Sequence, residues 1–266
     1  MTALFRRILQ AVIHAAYPDR CHVCQKFRQA VKTHAGTVPV KPATGDQQEL
    51  QCVATPSGDG AESASIDNRA WNFDNVMRPF VCDACRSTFT AIKSPLCRRC
   101  GMMFTSRVGL NHLCGPCLSK PGRFIKARAV GVYDQVLMAV IHHLKYRAKI
   151  QLARPLGRCL FRQFMRHWGG QAIDMIVPVP LHPLRLRQRG FNQALLLIKD
   201  WPEWAGAWGS DPADIRIAPE MLKRRRRTAP QSELGRKHRQ ANIHQTMRAA
   251  NTPKIQGKYI LVVDDV

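Results

Sequence analysis

The chain has 266 residues, 45% of them hydrophobic, and 41 Lys plus Arg against 18 Asp plus Glu give a formal net charge of +23. That length and apolar content are enough for one large domain or two moderate ones and exclude a chain disordered throughout, while the charge implies an anionic partner, nucleic acid or phosphorylated metabolites. Eight of the ten cysteines fall in Cys-x-x-Cys pairs and nothing at the N-terminus reads as an export signal, which sets aside a secreted disulfide scaffold and points to a reducing cytoplasm.

From the N-terminus, Leu4, Phe5, Ile8, Leu9, Val12 and Ile13 share one helical face, with Arg6, Arg7 and Gln10 elsewhere. The expected element is an amphipathic helix over 3–16 that docks on the following module. Peripheral membrane contact or a targeting role is the alternative. No apolar run reaches the roughly 18 residues of a transmembrane helix.

Cys21 and Cys24 form the first Cys-x-x-Cys, after which 27–75 turns to Ala, Thr, Gly, Ser, Pro, Gln and Asp without a sustained period. This segment reads as a flexible insertion, with Cys52 as a bystander thiol. Three further pairs follow: Cys82 and Cys85, Cys97 and Cys100, Cys114 and Cys117. Two thiolates three positions apart in a tight turn reach one tetrahedral metal at about 2.3 Å, and two such knuckles close a Cys₄ zinc site. Four knuckles therefore predict two structural zinc ions. Sequential pairing, Cys21, Cys24, Cys82 and Cys85 at one ion and Cys97, Cys100, Cys114 and Cys117 at the other, leaves the insertion as a long loop of small entropic cost. An interleaved pairing stays open at this level. His22 and His112 read as knuckle or surface residues.

A different kind of chain begins near Phe124. Residues 127–133 alternate towards a strand, Val136, Val140, Ile141 and Leu144 predict a helix to Tyr146, and a second helix over 152–168 ends at Gly169-Gly170. Cys159 falls inside it as a small buried hydrophobe. Residues 173–180 read as a buried strand stopped by proline. A basic turn over 181–189 and a helix over 190–199 come next, and Trp201, Trp204 and Trp208 read as an irregular linker. Lys223, Arg224, Arg225, Arg226 and Arg227 are consecutive cations, read as a solvated loop, a nucleic-acid patch or a mobile lid. Residues 258–266 supply a last strand, Ile260 to Val263, suited to burial on both faces and ending in the paired carboxylates Asp264 and Asp265. Alternating strands and helices predict a parallel α/β sheet.

Ligands of such sheets sit outside the carboxyl ends of the strands, which places the acidic pair at a candidate edge for sugar hydroxyls or Mg²⁺. A loop and helix N-terminus following a buried strand favours anions, and Arg185, Arg187 and Arg189 add forked donors for phosphate oxygens.

The order of motifs resembles the ComF family, competence-type double-zinc-ribbon proteins whose main domain resembles a type I phosphoribosyltransferase. The matching stretches are Arg20-Cys-His-Val-Cys24, Cys82-Asp-Ala-Cys85, Cys97-Arg-Arg-Cys100-Gly101, Cys114-Gly-Pro-Cys117, His143-Leu-Lys-Tyr-Arg147, Val177-Pro-Val-Pro-Leu-His-Pro183, Arg185-Leu-Arg-Gln-Arg-Gly-Phe-Asn-Gln193, Arg227-Thr-Ala-Pro-Gln231, Arg239-Gln-Ala-Asn242 and Val262-Val-Asp-Asp-Val266.

The resemblance implies a helix and double zinc ribbon over 1–122 and a phosphoribosyltransferase-like domain over 123–266. Val179, Pro180, Leu181 and His182 would be a pyrophosphate loop, Arg224, Arg227 and Gln231 part of a lid, and Asp264 and Asp265 the holders of the ribose hydroxyls and Mg²⁺ of phosphoribosyl pyrophosphate. Lys145, Arg185, Arg187, Arg189, Gly190, Asn192 and Gln193 would complete the ligand site. The family pattern continues into a Thr-Thr-Gly-x-Thr loop for the 5′-phosphate, and the sequence stops before it; a polypeptide ending at Val266 is expected to have little transferase activity. The functions implied are DNA uptake or transformation through single-stranded DNA or DNA-handling proteins, phosphoribosyl (glycosyl) transfer to a base or related nucleophile, or a non-enzymatic zinc-ribbon adaptor.

Overall fold

The computed structural model describes residues 20–28, 68–106, 108–120, 122–225, 246–250 and 252–265. The expected helix at 3–16, Cys52, most of the insertion, and the lid positions Arg226, Arg227 and Gln231 lie outside them.

The core forms around two helices whose apolar spacing is visible in the sequence. Helix α1, Gln135–Tyr146, buries Val136, Leu137, Val140, Ile141 and Leu144 along one face. Helix α2, Ala153–Trp168, buries Leu156, Cys159, Phe161 and Phe164, and stops where the Gly169 N–H donates to the Met165 carbonyl at 3.0 Å. Cys159 is the small buried hydrophobe expected, its thiol pushed up to about 12 by burial.

Strand β1, Met175–Pro178, is buried throughout and pairs in parallel with β2, Ile260–Val263, in the register Met175 with Ile260 to Pro178 with Val263. On its other side Ile176 bridges Ile217, also in parallel. A short antiparallel pair, β3 at Leu222–Arg224 and β4 at Met247–Ala249, flanks this sheet. The parallel α/β expectation holds at that level.

Several local expectations are corrected. Residues 127–133 form no strand; they run irregularly, tied by the Ala127 N–H to the Arg99 carbonyl and by a single bridge from Gly131 to Ala91. The basic turn is a helix, α3 at Pro183–Arg189, begun by proline in its first turn and capped by His182, and ended by Gly190 at φ 82°. Helix α4, Gln193–Ile198, follows, with Asn192 as its cap. The tryptophan linker is helix α5, Trp201–Ala207. Trp201 and Trp204 are buried and meet Phe161 edge-on at 5.5 and 5.8 Å, and Trp204 meets Trp71 at 5.1 Å. The end of the presumed insertion is folded: Asn72 caps helix α6, Phe73–Met77, and Trp71 and Phe73 enter the same core. Strand β2 is not buried on both faces, since Val262 is 56% exposed.

Candidate functional site

Two sets of four cysteines converge, in the sequential pairing. The reactive atoms of Cys21, Cys24, Cys82 and Cys85 lie within 4.8 Å of one another, as do those of Cys97, Cys100, Cys114 and Cys117. In each set one cross-knuckle pair stands 3.7 Å apart, Cys24 with Cys82 and Cys100 with Cys114. A tetrahedron of sulfurs about 2.3 Å from a central zinc has edges of about 3.8 Å, so the spacing fits the metal.

Backbone amides supply the rest of each knuckle. Val23 and Cys82 N–H groups donate to Cys21 Sγ at 3.4 Å; Cys100 and Cys114 donate to Cys97 Sγ at 3.5 and 3.4 Å. Against the upward push of burial, these donors hold the thiols at about 7 for Cys21 and about 6 for Cys97, favouring the thiolate that zinc requires. A zinc ion held by all four thiolates of a set would have no open position, as in closed, structural sites.

The two centres sit differently. Cys21 belongs to the main core with Trp71, Val81 and the α1 side chains. The His22 N–H donates to Phe80 O at 3.0 Å, and its ring meets that of His143 on α1 edge-on at 6.2 Å. Arg86 is buried beneath this knuckle, pairing with Asp74 at 2.7 Å and with Asp83, and donating to Val81 O at 2.7 Å. Cys97, Cys114 and Cys117 instead form a small cluster of their own with Phe104 and Leu113.

The carboxyl edge of the sheet gathers the second set of candidates. Val179 N–H donates to Val263 O at 2.8 Å, so the chain leaving β1 runs directly beside Asp264 and Asp265. Lys145 Nζ lies 3.1 Å from Asp265 Oδ2, with the two side chains 14% and 4% exposed. Among the described residues, no well-directed hydrogen bond completes that oxygen's shell. Asp264 is open at the strand end, yet its carboxyl is crowded by protein; burial, and then the Asp265 charge, raise it to about 7.

Asn192 Nδ2 donates to Val179 O at 3.1 Å, and Arg189 donates to Gln193 Oε1 at 2.6 Å while its guanidinium lies 5.5 Å from the Tyr146 ring centre. Arg189 is held below the usual arginine range mainly by burial, with Asp265 acting in the opposite direction. Arg224 is lowered by burial and then by Arg185, with Asp264 opposing, which puts both arginines within electrostatic reach of the pair. Pro180 and Leu181 are half-buried in the connecting loop, and His182 Nδ1 accepts from Leu184 N–H at 3.3 Å. Arg187 is exposed.

Tyr133 and Tyr146 were not singled out by sequence pattern. The Tyr133 hydroxyl is pushed up by burial, then by Asp265 and Tyr146, which puts it within electrostatic reach of Asp265. Only the chain's return along α1 brings residue 133 beside residue 265. A cleft of about 530 Å³, lined by Phe164, Trp168, Asp174 and Arg216 among others, lies at the opposite, amino end of β1.

The chain is 34% identical over 191 residues to DNA utilization protein YhgH of Escherichia coli (strain K12), covering 70% of this chain and 77% of that protein. The YhgH protein of Salmonella typhimurium is 31% identical over 203 residues, 71% of this chain and 85% of its own. Competence protein F of Haemophilus influenzae is 27% identical over 201 residues, 70% of this chain and 84% of its own. No family model and no solved structure matches the chain.

Proposed function

Because the chain belongs to the ComF family, we propose that it serves the uptake and use of DNA, binding single-stranded DNA or the proteins that handle it. The observation that carries this reading is the 34% identity to a protein named for DNA utilization, extending over 70% of the chain. The +23 charge supports it by favouring encounter with a polyanion. Deleting the gene in its own organism should lower the uptake of labelled DNA or growth on DNA, with recovery when the wild-type gene is returned. Unchanged uptake and growth would contradict the reading.

Within this role the eight clustered cysteines would hold two structural zinc ions, each contributing folding free energy, the second to a segment with little core of its own. Zinc here would fix the knuckles and leave no open position for chemistry.

A second reading, phosphoribosyl transfer in a phosphoribosyltransferase-like domain over 123–266, is supported by the composition of the sheet edge. Asp264 and Asp265 would accept hydrogen bonds from ribose hydroxyls and hold Mg²⁺, which would supply charge neutralisation for a diphosphate. Val179 to His182 would present backbone N–H groups to pyrophosphate. Arg185, Arg189 and Arg224 would neutralise its charge, and Lys145 would hold Asp265 in place. Arg187, Gly190, Asn192 and Gln193 would shape the same loop, with Arg227 and Gln231 closing over it. Calorimetry with phosphoribosyl pyrophosphate and Mg²⁺ tests this reading: heat that Asp264→Asn abolishes supports it, and none at millimolar ligand rules it out.

A further inference from the structure

Among the described residues, the outer face of α1 is only partly covered. Its opposite face supplies Val136, Leu137, Val140, Ile141 and Leu144 to the core, while Met138, His142 and Tyr146 recur at four-residue spacing along the outer side. Tyr133, just before the helix, continues the row. Its ring meets His142 at 6.3 Å, and His142 meets Tyr146 edge-on at 5.5 Å. Tyr133 and Met138 are 39% exposed and Tyr146 is 62% exposed.

The row ends in cations. Arg189 lies over Tyr146 at 5.5 Å, and the exposed Arg147 and Lys149 follow in a turn made by Ala148 at φ 49°. Of the nearby carboxylates, Asp265 is paired with Lys145.

From this arrangement we infer that the outer face of α1 is a binding platform for single-stranded nucleic acid, with bases stacking on Tyr133, His142 and Tyr146 and phosphates following Arg147 and Lys149. The inference rests on the proposed role in DNA use and adds where the strand lies. Aromatic rings beside cations suit an unpaired strand, because every base offers a face for stacking and each phosphate offers an ion pair. A duplex keeps its bases stacked internally and can use only the cations. The platform follows a helix of 12 residues, about 18 Å long, and it leads to the acidic pair at the sheet edge. The charge of the row's end is the complement of a phosphate backbone, which separates this surface from a protein-docking stripe of aliphatic residues.

The test is fluorescence anisotropy on the full zinc-loaded chain with labelled oligothymidine of roughly 20 nucleotides, long enough for one site of this kind. The double variant Tyr133→Ala with Tyr146→Ala should bind at least about tenfold more weakly with an unchanged salt slope. The variant Tyr133→Phe with Tyr146→Phe should bind like wild type, which separates stacking from misfolding. Arg147→Ala with Lys149→Ala should reduce the log-log salt slope by about 1.4, from about 0.7 per phosphate contact on a single strand. Duplex binding should be insensitive to the tyrosine variants. If wild type binds the oligonucleotide and the alanine pair binds equally well, the platform is refuted while the role in DNA use stands. Equal loss in the phenylalanine and alanine pairs would also refute stacking. Absence of wild-type binding at low salt would remove the platform and direct strand binding together, leaving only the role through DNA-handling proteins.

Discussion

Lys145 Nζ stands 3.1 Å from Asp265 Oδ2, joining the last turn of α1 to the carboxyl end of β2 across the mouth of the candidate site. Removing the ammonium strands a carboxylate that is 4% exposed, and an orphaned charge of this kind costs more than the pair contributes. Lys145→Met should therefore destabilise the chain by about 3 kcal/mol in urea unfolding. Adding Asp265→Asn should return part of that loss, with a coupling of about 1–3 kcal/mol in the double-mutant cycle. Additive effects would show that the pair is not coupled.

Asp264 gives the site a pH dependence whose sign follows from its raised value. The folded chain holds this proton up to about pH 7, whereas an unfolded aspartate releases it near 3.8. Its contribution to stability is thus complete below the lower value and lost as pH rises towards the upper one. Urea midpoints across that window should fall more steeply for wild type than for Asp264→Asn. Parallel pH profiles for the two proteins would contradict the shift.

The zinc centres should fail unequally. Cys21 lies in the main core, whereas Cys97, Cys114 and Cys117 form a separate cluster. Losing a structural zinc removes on the order of 10 kcal/mol of folding free energy from the segment that binds it. Cys21→Ala should lower the thermal midpoint of the whole chain and reduce bound zinc from two to one. Cys97→Ala should lose one zinc as well, but with hydrogen exchange accelerated mainly over 93–122. Equal global destabilisation would show that the second ribbon is coupled to the core.

Gly157 lets α2 pack close against α4: an added Cβ would stand 2.4 Å from the Leu197 carbonyl oxygen and 3.3 Å from the Trp204 ring. The obstacle is backbone, so it cannot swing aside. Gly157→Ala gains helix propensity of up to about 1 kcal/mol and loses more to overpacking, for a net loss of about 1–3 kcal/mol. Thermal unfolding checks the sign, and a stabilised variant would mean that the helices separate freely.

The two cysteine clusters, α1, α2 and the paired β1 and β2 were legible because each has a local signature: fixed Cys-x-x-Cys spacing, a helical apolar period, or an apolar run. Short helices concealed by their composition were not. Arg185, Arg187 and Arg189 gave 183–189 the appearance of a solvated turn, although Pro183 after a capping His182 and Gly190 at the end were start and stop signals. Trp201, Trp204 and Trp208 are spaced three and four apart, which is helical, and their packing on Phe161 depends on α2 lying alongside. Tyr133 beside Asp265 had no local signal at all. The apolar run in β2 exceeded its burial because exposed Val262 is as β-prone as its neighbours.

Direct binding of DNA, the central claim of the proposed role, is tested by titrating salt against the affinity of the full chain for single-stranded DNA. A strand held by the chain's excess cations should give a linear fall of log affinity with log salt, steepening by about 0.7 for each phosphate contact on a single strand. An affinity that does not change with salt, or no binding at low salt, would contradict it.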